Sequence, residues 1–419
     1  MRTGPFAAYR SLTVTATRVL IVGAGPGGLA TALALRRAGI DPVVVVEQAA
    51  EQRSPAAGVL LWPNAVKLLR DWGVGAAVED RGARALDCLV RTPAGRPIVT
   101  LGFDGFEARF GAPLVVVHCA SLRTILEAAL APGSVRLGSE CIGVEQDARG
   151  AAAVLRDGSR WAADVVVGAD GAASAVRAAV TGDGAGAAHH AGVTAWRGVV
   201  PLDRTVVDGL LTGEWWGRGA VFGIARLGGN QAYWWATVGC PPTAPGSIDQ
   251  EKADLLHRFA RWQRPIHDLI DASPPEAIIR TPLRRRRSVG PRGAGRVALV
   301  GDAAAIALPS LSQGACQAIE DAATLADCLL TDSVVGALER YGDRRRGPER
   351  VVAGRSARLS RWEHLTGPVA SSLRNVVLRT VRTDTPVNWL APIIGHEPIG
   401  SRCKPLSVQR RGGSGRRST

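Results

Sequence analysis

Three glycines near the start of the chain, Gly23, Gly25 and Gly28, have the spacing of a phosphate-binding turn. They follow the apolar run Val19–Val22, which is typical of a buried parallel strand, and a helix-forming segment after them stops at Gly39. The first glycine permits a tight turn, the second lets the backbone approach a pyrophosphate, and the third lets the helix pack on the strand. Free N–H groups at the start of such a helix attract phosphate. The pattern predicts a dinucleotide site.

An acidic residue stands where the ribose of a dinucleotide would lie. The second predicted strand, Val43–Val46, ends at Glu47. A carboxylate at this point accepts ribose hydroxyls and repels a 2′-phosphate, which favours FAD or NAD over NADP. The alternative is a glycine-rich turn in an ordinary α/β protein, and it is weakened because the strand, the helix, the second strand and Glu47 are all present.

Two later segments repeat the pattern of a buried strand followed by a turn. Asp170-Gly171 follows the strand around residues 165–168, and Gly301-Asp302 follows the strand at 297–300. A helix at 314–330 comes after the second of these turns, and its N-terminal dipole would stabilise negative charge on a reduced flavin ring. Asp302 would hold a ribityl hydroxyl of that flavin. The alternative for Asp302 is an aspartate that only forms the turn.

Taken together, the three segments resemble the fingerprints of the single-component FAD-dependent aromatic hydroxylases. The branch with salicylate hydroxylase, urate hydroxylase and zeaxanthin epoxidase is the most similar, and residues 58–64, 195–200 and 317–322 add further matches. The resemblance implies FAD as cofactor and NADH or NADPH as co-substrate. It also implies that one atom of O2 is inserted into an electron-rich small molecule, by hydroxylation or epoxidation, through a flavin C4a-hydroperoxide.

The motifs and the resemblance together predict the residues that bind the cofactor. These are Gly23, Gly25, Gly28, Glu47, Arg123, Asp170, Asp302, Gln313, Gly314 and Ala315. The chain departs from the family pattern at Cys119, Ala305 and Ser312, where the family has arginine, histidine and glycine. Arg123, one turn after Cys119 on the same helix face, is predicted to replace the missing arginine. We assign no catalytic base and no metal ligand.

Residues 190–240 alternate between apolar and polar types and are rich in tryptophan, which predicts an antiparallel sheet with a hairpin at 228–230. Such a sheet would form the roof of a pocket for a planar, aromatic substrate. The residues predicted to contact that substrate are Trp196, Arg197, Tyr233 and Pro309. For any single tryptophan, the alternative is a place in the core of the sheet.

The predicted fold class is α/β, with a discontinuous Rossmann-like FAD-binding domain, an inserted antiparallel-sheet substrate domain and C-terminal helices. The FAD-binding domain is expected at residues 17–78, 112–182 and 290–345, and the substrate domain at 79–111 and 183–289. A helical region is expected at 346–400. Residues 1–16 and 401–419 are expected to be disordered tails.

Composition indicates which kinds of binding partner the protein is expected to have. The net charge of +14 comes almost entirely from arginine, and no basic binding module is evident, so no nucleic-acid role is expected. No apolar run reaches the roughly 18 residues of a membrane helix. The seven cysteines are scattered without a C-x-x-C pair, which indicates neither a disulfide framework nor a zinc site. We therefore expect a cytoplasmic enzyme, monomeric or homodimeric.

Two other classes of function stay open. One is a flavoprotein oxidoreductase that does not insert oxygen, and the other is a noncatalytic binding protein that retains the fold. The four arginines at 284–287 also have two interpretations. They form a solvated basic surface, or they attract an anionic nicotinamide cofactor or an acidic substrate.

Overall fold

The computed structural model describes residues 17–51, 56–182, 188–202, 212–241, 246–286, 290–381 and 385–396. Strands and helices are numbered along the chain. The tails predicted at 1–16 and 401–419 lie outside the described residues. In the part of the chain that is described, no helix is both long and apolar enough to cross a membrane.

The first sheet carries the nucleotide-binding motifs. Its spatial order is β18 (Gly293–Ala294), β19 (Val297–Leu299), β12 (Val165–Gly168), β1 (Val19–Val22), β2 (Val43–Val46) and β8 (Val135–Arg136). All neighbours pair in parallel except β18 with β19. Because the parallel strands are covered on both faces, their sequences are continuous apolar runs, as the motifs require.

The second sheet has seven strands, and its central strands are buried along almost their whole length. Its spatial order is β17 (Ile279–Arg285), β13 (His189–Pro201), β16 (Gln231–Gly239), β15 (Ala220–Leu227), β14 (Thr212–Trp216), β5 (Asp87–Arg91) and β6 (Pro97–Gly102). The predicted hairpin is present between β15 and β16, where Gly229 and Asn230 have positive φ. The strands come from the two segments predicted as the substrate domain, although the domain bounds themselves stay a prediction.

Two small sheets complete the β-structure of the described residues. One has the order β11 (Arg160–Ala163), β10 (Ala151–Leu155) and β9 (Cys141–Gln146). The other has the order β3 (Gly58–Leu61), β7 (Val115–His118) and β4 (Ala83–Arg84). Strand β3 enters the wall of the candidate site described below.

The helices fall into three groups. Those that cover the first sheet and its neighbours are α1 (Pro26–Arg37), α2 (Pro63–Asp71), α3 (Gly75–Arg81), α4 (Phe106–Phe110), α5 (Cys119–Ala128), α6 (Ala175–Thr181) and α9 (Gly314–Thr331). Those that cover the second sheet are α7 (Ile248–Phe259) and α8 (Ile266–Ala272). The C-terminal helices are α10 (Val334–Glu363), α11 (Pro368–Thr380) and α12 (Thr385–Ile394). The sequence-based fold class is confirmed.

Candidate active site

The glycine turn after β1 has the geometry that its sequence predicts. Gly23 has a φ of +105°, and a side chain there would meet the carbonyl oxygen of Ala169 at 2.5 Å. A side chain at Gly28 would overlap the carbonyl oxygen of Gly23, so helix and strand touch at this point. At Gly25, in contrast, a side chain would meet nothing within 4 Å. Open space therefore lies in front of the first turn of α1, whose N-terminus has no side-chain cap.

Glu47 lies beside that turn at the carboxyl end of β2. Its Oε2 accepts a hydrogen bond from the Ala24 N–H at 2.8 Å, and its Oε1 accepts one from the Ala49 N–H at 3.0 Å. The carboxylate is half-buried and keeps further acceptor capacity, since each oxygen has two lone pairs. A phosphate-binding turn and a ribose acceptor thus stand side by side, and this donor and acceptor set fits the adenosine diphosphate half of FAD.

Two other residues predicted to bind the cofactor have structural partners of their own. Asp170 accepts a hydrogen bond from the Ser174 hydroxyl at 2.5 Å and one from the Val176 N–H at 3.2 Å, so its carboxylate organises the start of α6. Arg123 is buried on α5, a helix that packs against α1. Direct contact of either side chain with the cofactor stays a prediction.

A cavity of about 550 Å³ lies between the second sheet and the segment that follows β19. The residues of that segment which line it are Asp302, Ile306, Ala307, Pro309, Ser312, Gly314 and Ala315. The residues of the second sheet which line it are Ala195, Arg197, Tyr233, Trp235, Thr237, Thr281, Pro282, Leu283 and Arg284. Gly58, Val59 and Leu60 of β3 and Ala172 close the remaining side. Residues predicted for cofactor and for substrate therefore share one cavity.

The floor of this cavity is suited to the redox-active end of a flavin. Asp302 exposes its carboxyl to the cavity, where the surrounding protein raises its pKa by desolvation, although Arg286 and Arg197 oppose the shift. Helix α9 begins at Gly314, and no side chain caps its N-terminus. A free helix N-terminus stabilises negative charge, such as that of a reduced flavin. The residues present therefore fit this half of FAD as well.

Gln313 precedes α9 but does not turn its side chain into the cavity. Its amide oxygen accepts hydrogen bonds from the side chains of Asn64 at 3.1 Å and Gln317 at 3.2 Å, and the residue is only 1% exposed. Contact of Gln313 with the cofactor stays a prediction. Its backbone, at the start of the helix, remains beside the cavity-lining residues Ser312 and Gly314.

The sequence-based prediction that Trp196 contacts the substrate is wrong. Successive side chains of a strand point to opposite faces, so Trp196 and Arg197 cannot both face the cavity. Trp196 is buried in the core between the second sheet and α7, and its Nε1 donates to Glu251 at 2.8 Å. The alternative interpretation, a tryptophan in the core of the sheet, holds for this residue.

Arg197 and Tyr233 lie on the cavity face, as predicted. The Arg197 guanidinium donates to the Thr281 hydroxyl at 3.2 Å and keeps other N–H groups for a ligand. Burial raises the pKa of Tyr233 to about 12, although nearby Arg197 opposes the shift. Burial likewise raises the pKa of the Cys119 thiol to about 11, against the influence of Arg197. The Tyr233 hydroxyl and the Cys119 thiol are therefore neutral at pH 7, and among these three side chains Arg197 carries the charge.

The loop with Asp302 rests on a buried ionic network that the sequence analysis missed. Asp321 on α9 accepts hydrogen bonds from Gly301 N–H at 2.9 Å and Arg345 at 2.6 Å, and it pairs with Arg292 at 2.8 Å. Burial opposes ionisation of Asp321, but Arg292 and Arg345 outweigh it and hold the pKa of this carboxyl below its usual range. The match at 317–322 was the signal in the sequence that could have indicated this network.

A second polar cluster joins the cavity to the end of α10. The Ser310 hydroxyl donates to Glu363 at 2.6 Å, and Ser310 follows the cavity-lining Pro309. Burial, and then the neighbouring carboxyl of Glu214, raise the pKa of Glu363 to about 8. His364 follows directly, with its Nε2 at 3.0 Å from the cavity-lining Thr237 hydroxyl. No motif marked these residues, because the contacting pairs are 53 and 127 positions apart in the sequence.

Comparisons with known proteins agree with this geometry. A family model described as the FAD binding domain matches residues 16–352. Aurachin C monooxygenase/isomerase of Stigmatella aurantiaca is 35% identical over 376 residues, which cover 88% of this chain and 96% of that protein. A 3-amino-4-hydroxybenzoate 2-monooxygenase of Streptomyces platensis is 34% identical over 404 residues, which cover 92% and 98% of the two chains.

Among solved structures, Klebsiella pneumoniae HpxO complexed with FAD and uric acid has a TM-score of 0.84 with this chain. The identity is 27%, and the match covers 90% of this chain and 96% of that one. The fingerprints, the cavity between loop and sheet, and these matches lead to the same conclusion: the chain belongs to the FAD-dependent aromatic hydroxylase family and is an FAD-dependent monooxygenase.

Proposed function

We propose that this monooxygenase uses NADH or NADPH and O2 to hydroxylate or epoxidise a planar, electron-rich aromatic small molecule. The observation that carries the proposal is the single cavity of about 550 Å³, in which Asp302 and the start of α9 face Arg197 and Tyr233. A volume of this size holds a small molecule and part of a cofactor together. The enzyme acts in the cytoplasm, as a monomer or homodimer.

FAD, when bound, supplies the transfer of electrons from the nicotinamide and the activation of oxygen. The chain binds and orients it. The turn at Gly25 and the first turn of α1 receive the pyrophosphate, and Glu47 receives the adenosine ribose. Asp302 accepts a hydrogen bond from the ribityl chain, while the start of α9 stabilises negative charge at the ring.

The cavity face of the second sheet orients the substrate. Tyr233 and Trp235 present aromatic rings 5.3 Å apart, between centroids, against which a planar molecule packs. Arg197 and Arg284 give this wall a positive character, which favours a ring with an anionic or acidic substituent. The 3-amino-4-hydroxybenzoate of the Streptomyces platensis enzyme and the uric acid bound to the Klebsiella pneumoniae protein are planar rings of that kind.

The chain also excludes water from the reacting centre. Apolar residues of both walls, Leu60, Leu283, Ile306 and Pro309, line the cavity between the polar groups. A dry site strengthens the electrostatic interactions within it and limits the loss of activated oxygen as hydrogen peroxide. We therefore expect that a substrate which fills the cavity couples the consumption of NADH or NADPH to product formation.

The proposal is tested with the purified FAD-bound protein. A set of hydroxylated and aminated aromatic compounds is screened for those that accelerate NADH or NADPH oxidation. The product formed under ¹⁸O2 is then analysed by mass spectrometry. We expect one labelled oxygen atom per product, and hydrogen peroxide in the absence of substrate. A product without label would favour the non-oxygenating oxidoreductase, and failure to bind flavin would favour the noncatalytic binding protein.

A further inference from the structure

A threonine and a histidine that the fingerprints do not include meet at the wall of the cavity. Thr237 lies on β16, four residues after Tyr233 and two after Trp235, so all three side chains share the cavity face. The Thr237 hydroxyl oxygen lies 3.0 Å from Nε2 of His364. On the other side of the imidazole, Nδ1 lies 2.8 Å from the carbonyl oxygen of Ser360.

This geometry fixes the direction of the hydrogen bonds. A carbonyl oxygen only accepts, so we assign the ring proton of neutral His364 to Nδ1, which donates to Ser360. Nε2 is then an acceptor, and the Thr237 hydroxyl donates its proton to it. The proton of Thr237 therefore points away from the cavity, and the lone pairs of its oxygen remain available to a donor inside the cavity.

The surroundings of His364 keep the imidazole neutral. Burial lowers its pKa, and Arg374 on α11 acts in the same direction, although the hydrogen bonds to Ser360 and Thr237 oppose the shift. The nearby carboxyls are Glu363 on α10 and Glu214 on β14, and burial raises the pKa of each. Glu363, whose pKa is raised to about 8, is therefore largely protonated at neutral pH and contributes little negative charge that would favour an imidazolium.

We propose that Thr237 is a specificity-determining hydrogen-bond acceptor for an O–H or N–H group on the substrate ring, and that His364 is the positioning residue that holds its hydroxyl in the accepting orientation. The proposal rests on the proposed function, since it identifies which substituent the aromatic substrate presents. Arg197 and Arg284 offer only donors to the cavity. Thr237 supplies the complementary acceptor, so the wall selects rings that combine an acceptor or anion with a donor.

The test compares each hydroxylated ring with its methyl ether, which lacks the donor. The probes are 3-amino-4-hydroxybenzoate and salicylate with their phenol methyl ethers, and the readout is the change in flavin absorbance when a probe binds to the FAD-bound enzyme. We expect the ethers to bind roughly tenfold more weakly, because they leave the Thr237 oxygen without its donor. In Thr237→Val, which keeps the shape and removes the hydroxyl, this discrimination should disappear.

Thr194→Val is the matched control. Thr194 is buried on the neighbouring strand β13, but it lies on the opposite face and its hydroxyl contacts the Cys240 sulfur at 3.3 Å. This variant should keep the discrimination of the unaltered enzyme. The proposal is overturned if the ethers bind as tightly as the hydroxylated rings, if neither hydroxylated ring binds, or if the two variants behave alike.

The role of His364 has its own readout, the pH dependence of the discrimination. A protonated imidazole donates from Nε2, which turns the Thr237 hydroxyl into a donor towards the cavity. Discrimination against the ethers should therefore fall as the pH drops through the lowered pKa of His364, and in Thr237→Val no such change should occur. A purely structural His364 would leave the discrimination independent of pH.

The two proposals fail in different ways. If ¹⁸O is inserted but Thr237→Val still discriminates between the hydroxylated rings and their ethers, the role of Thr237 is wrong and the monooxygenase proposal stands. If no aromatic compound accelerates NADH or NADPH oxidation or takes up ¹⁸O, while the hydroxylated rings still bind tenfold more tightly than the ethers, the proposed function is wrong and the recognition site stands.

Discussion

The two faces of the second sheet carry similar residues but have different roles. On the core face, Trp234 stacks on Phe222 with ring centroids 5.5 Å apart, and its Nε1 donates to Ser273 at 2.9 Å. On the cavity face, Trp235 and Tyr233 border open volume beside Arg197. The core face satisfies its polar atoms within the protein, whereas the cavity face leaves polar groups for a ligand. Residue type alone therefore does not identify a substrate contact. The position of a residue along the strand determines which face its side chain lies on.

Glycines on the neighbouring strand β13 and on β3 of a separate sheet make room for the aromatic side chains on the two faces. A side chain at Gly198 would come within 2.7 Å of the Trp234 ring, and one at Gly58 within 2.7 Å of the Tyr233 ring. On both faces the rings therefore lie close against backbone. What differs between the faces is the available volume and the polar groups around it.

The largest effect is expected from removing the buried ring of the core face. Trp234→Ala should lower the free energy of unfolding by about 3–5 kcal/mol, because it leaves a cavity in the core. Denaturant unfolding of the FAD-free protein measures this directly. Trp235→Ala is the matched variant on the cavity face and should cost clearly less, since its ring already borders open volume. Equal losses in the two variants would break the distinction between the faces.

The next effect concerns Asp302, on the floor of the cavity. Asp302→Ala should weaken FAD binding by about 1–3 kcal/mol, because it removes the acceptor for a ribityl hydroxyl. The measurement is a flavin fluorescence titration, with Asp157→Ala as a control at an exposed turn of the first half of the chain. Unchanged affinity in Asp302→Ala would mean that Asp302 only forms the turn, which is the alternative that the sequence leaves open.

A smaller effect, which depends on pH, is expected where α10 meets the cavity. The pKa of Glu363 is raised to about 8 in the fold, so this carboxyl favours the folded state at low pH and loses that contribution as the pH rises towards 8. Glu363→Gln stays neutral and should flatten the fall in Tm between pH 5 and 8 by about 2–4 °C. Parallel pH profiles of the variant and the unaltered protein would contradict the assignment. The groups around Glu363 are Glu214, Arg374 and Ser310.

The smallest effect is expected from a substitution of Trp196, which lies in the core. Trp196→Phe removes the hydrogen bond to Glu251, which also pairs with Arg280 at 3.2 Å and therefore keeps a partner. The free energy of unfolding should fall by about 1 kcal/mol, and substrate affinity should not change. Weaker substrate binding in Trp196→Phe, measured by the change in flavin absorbance, would show that both faces of β13 contribute to the site.

The sequence predicts the fold of the glycine-turn segment well, because that segment is local. The strand at 19–22, the glycine turn and Glu47 lie within 30 residues of one another, and each has a type that its position demands. The order of the three fingerprints also predicts that the chain returns to one cofactor, and the helix predicted at 314–330 is confirmed as α9, which ends one residue later.

The substrate end is less predictable because distant strands and helices build it. Arg197, Thr237 and Asp302 line one cavity and His364 contacts Thr237, but these residues come from distant parts of the chain and no local pattern relates them. Alternation along β13 could have excluded Trp196 once Arg197 was placed in the cavity, but the sequence does not say which of the two faces inward. The ionic network that holds Gly301 could not be predicted from the sequence either, because its residues also come from distant elements.

The most direct test of the account compares two adjacent residues of β13 in a single experiment. The measured quantity is the fraction of NADH or NADPH consumed that appears as ¹⁸O-labelled product, in Arg197→Met, in Trp196→Phe and in the unaltered enzyme. We expect this fraction to fall severalfold in Arg197→Met, with FAD still bound, because the substrate loses its orientation in the cavity. Trp196→Phe should match the unaltered enzyme. Equal losses, or a loss confined to Trp196→Phe, would contradict the assignment of the cavity face as the substrate site.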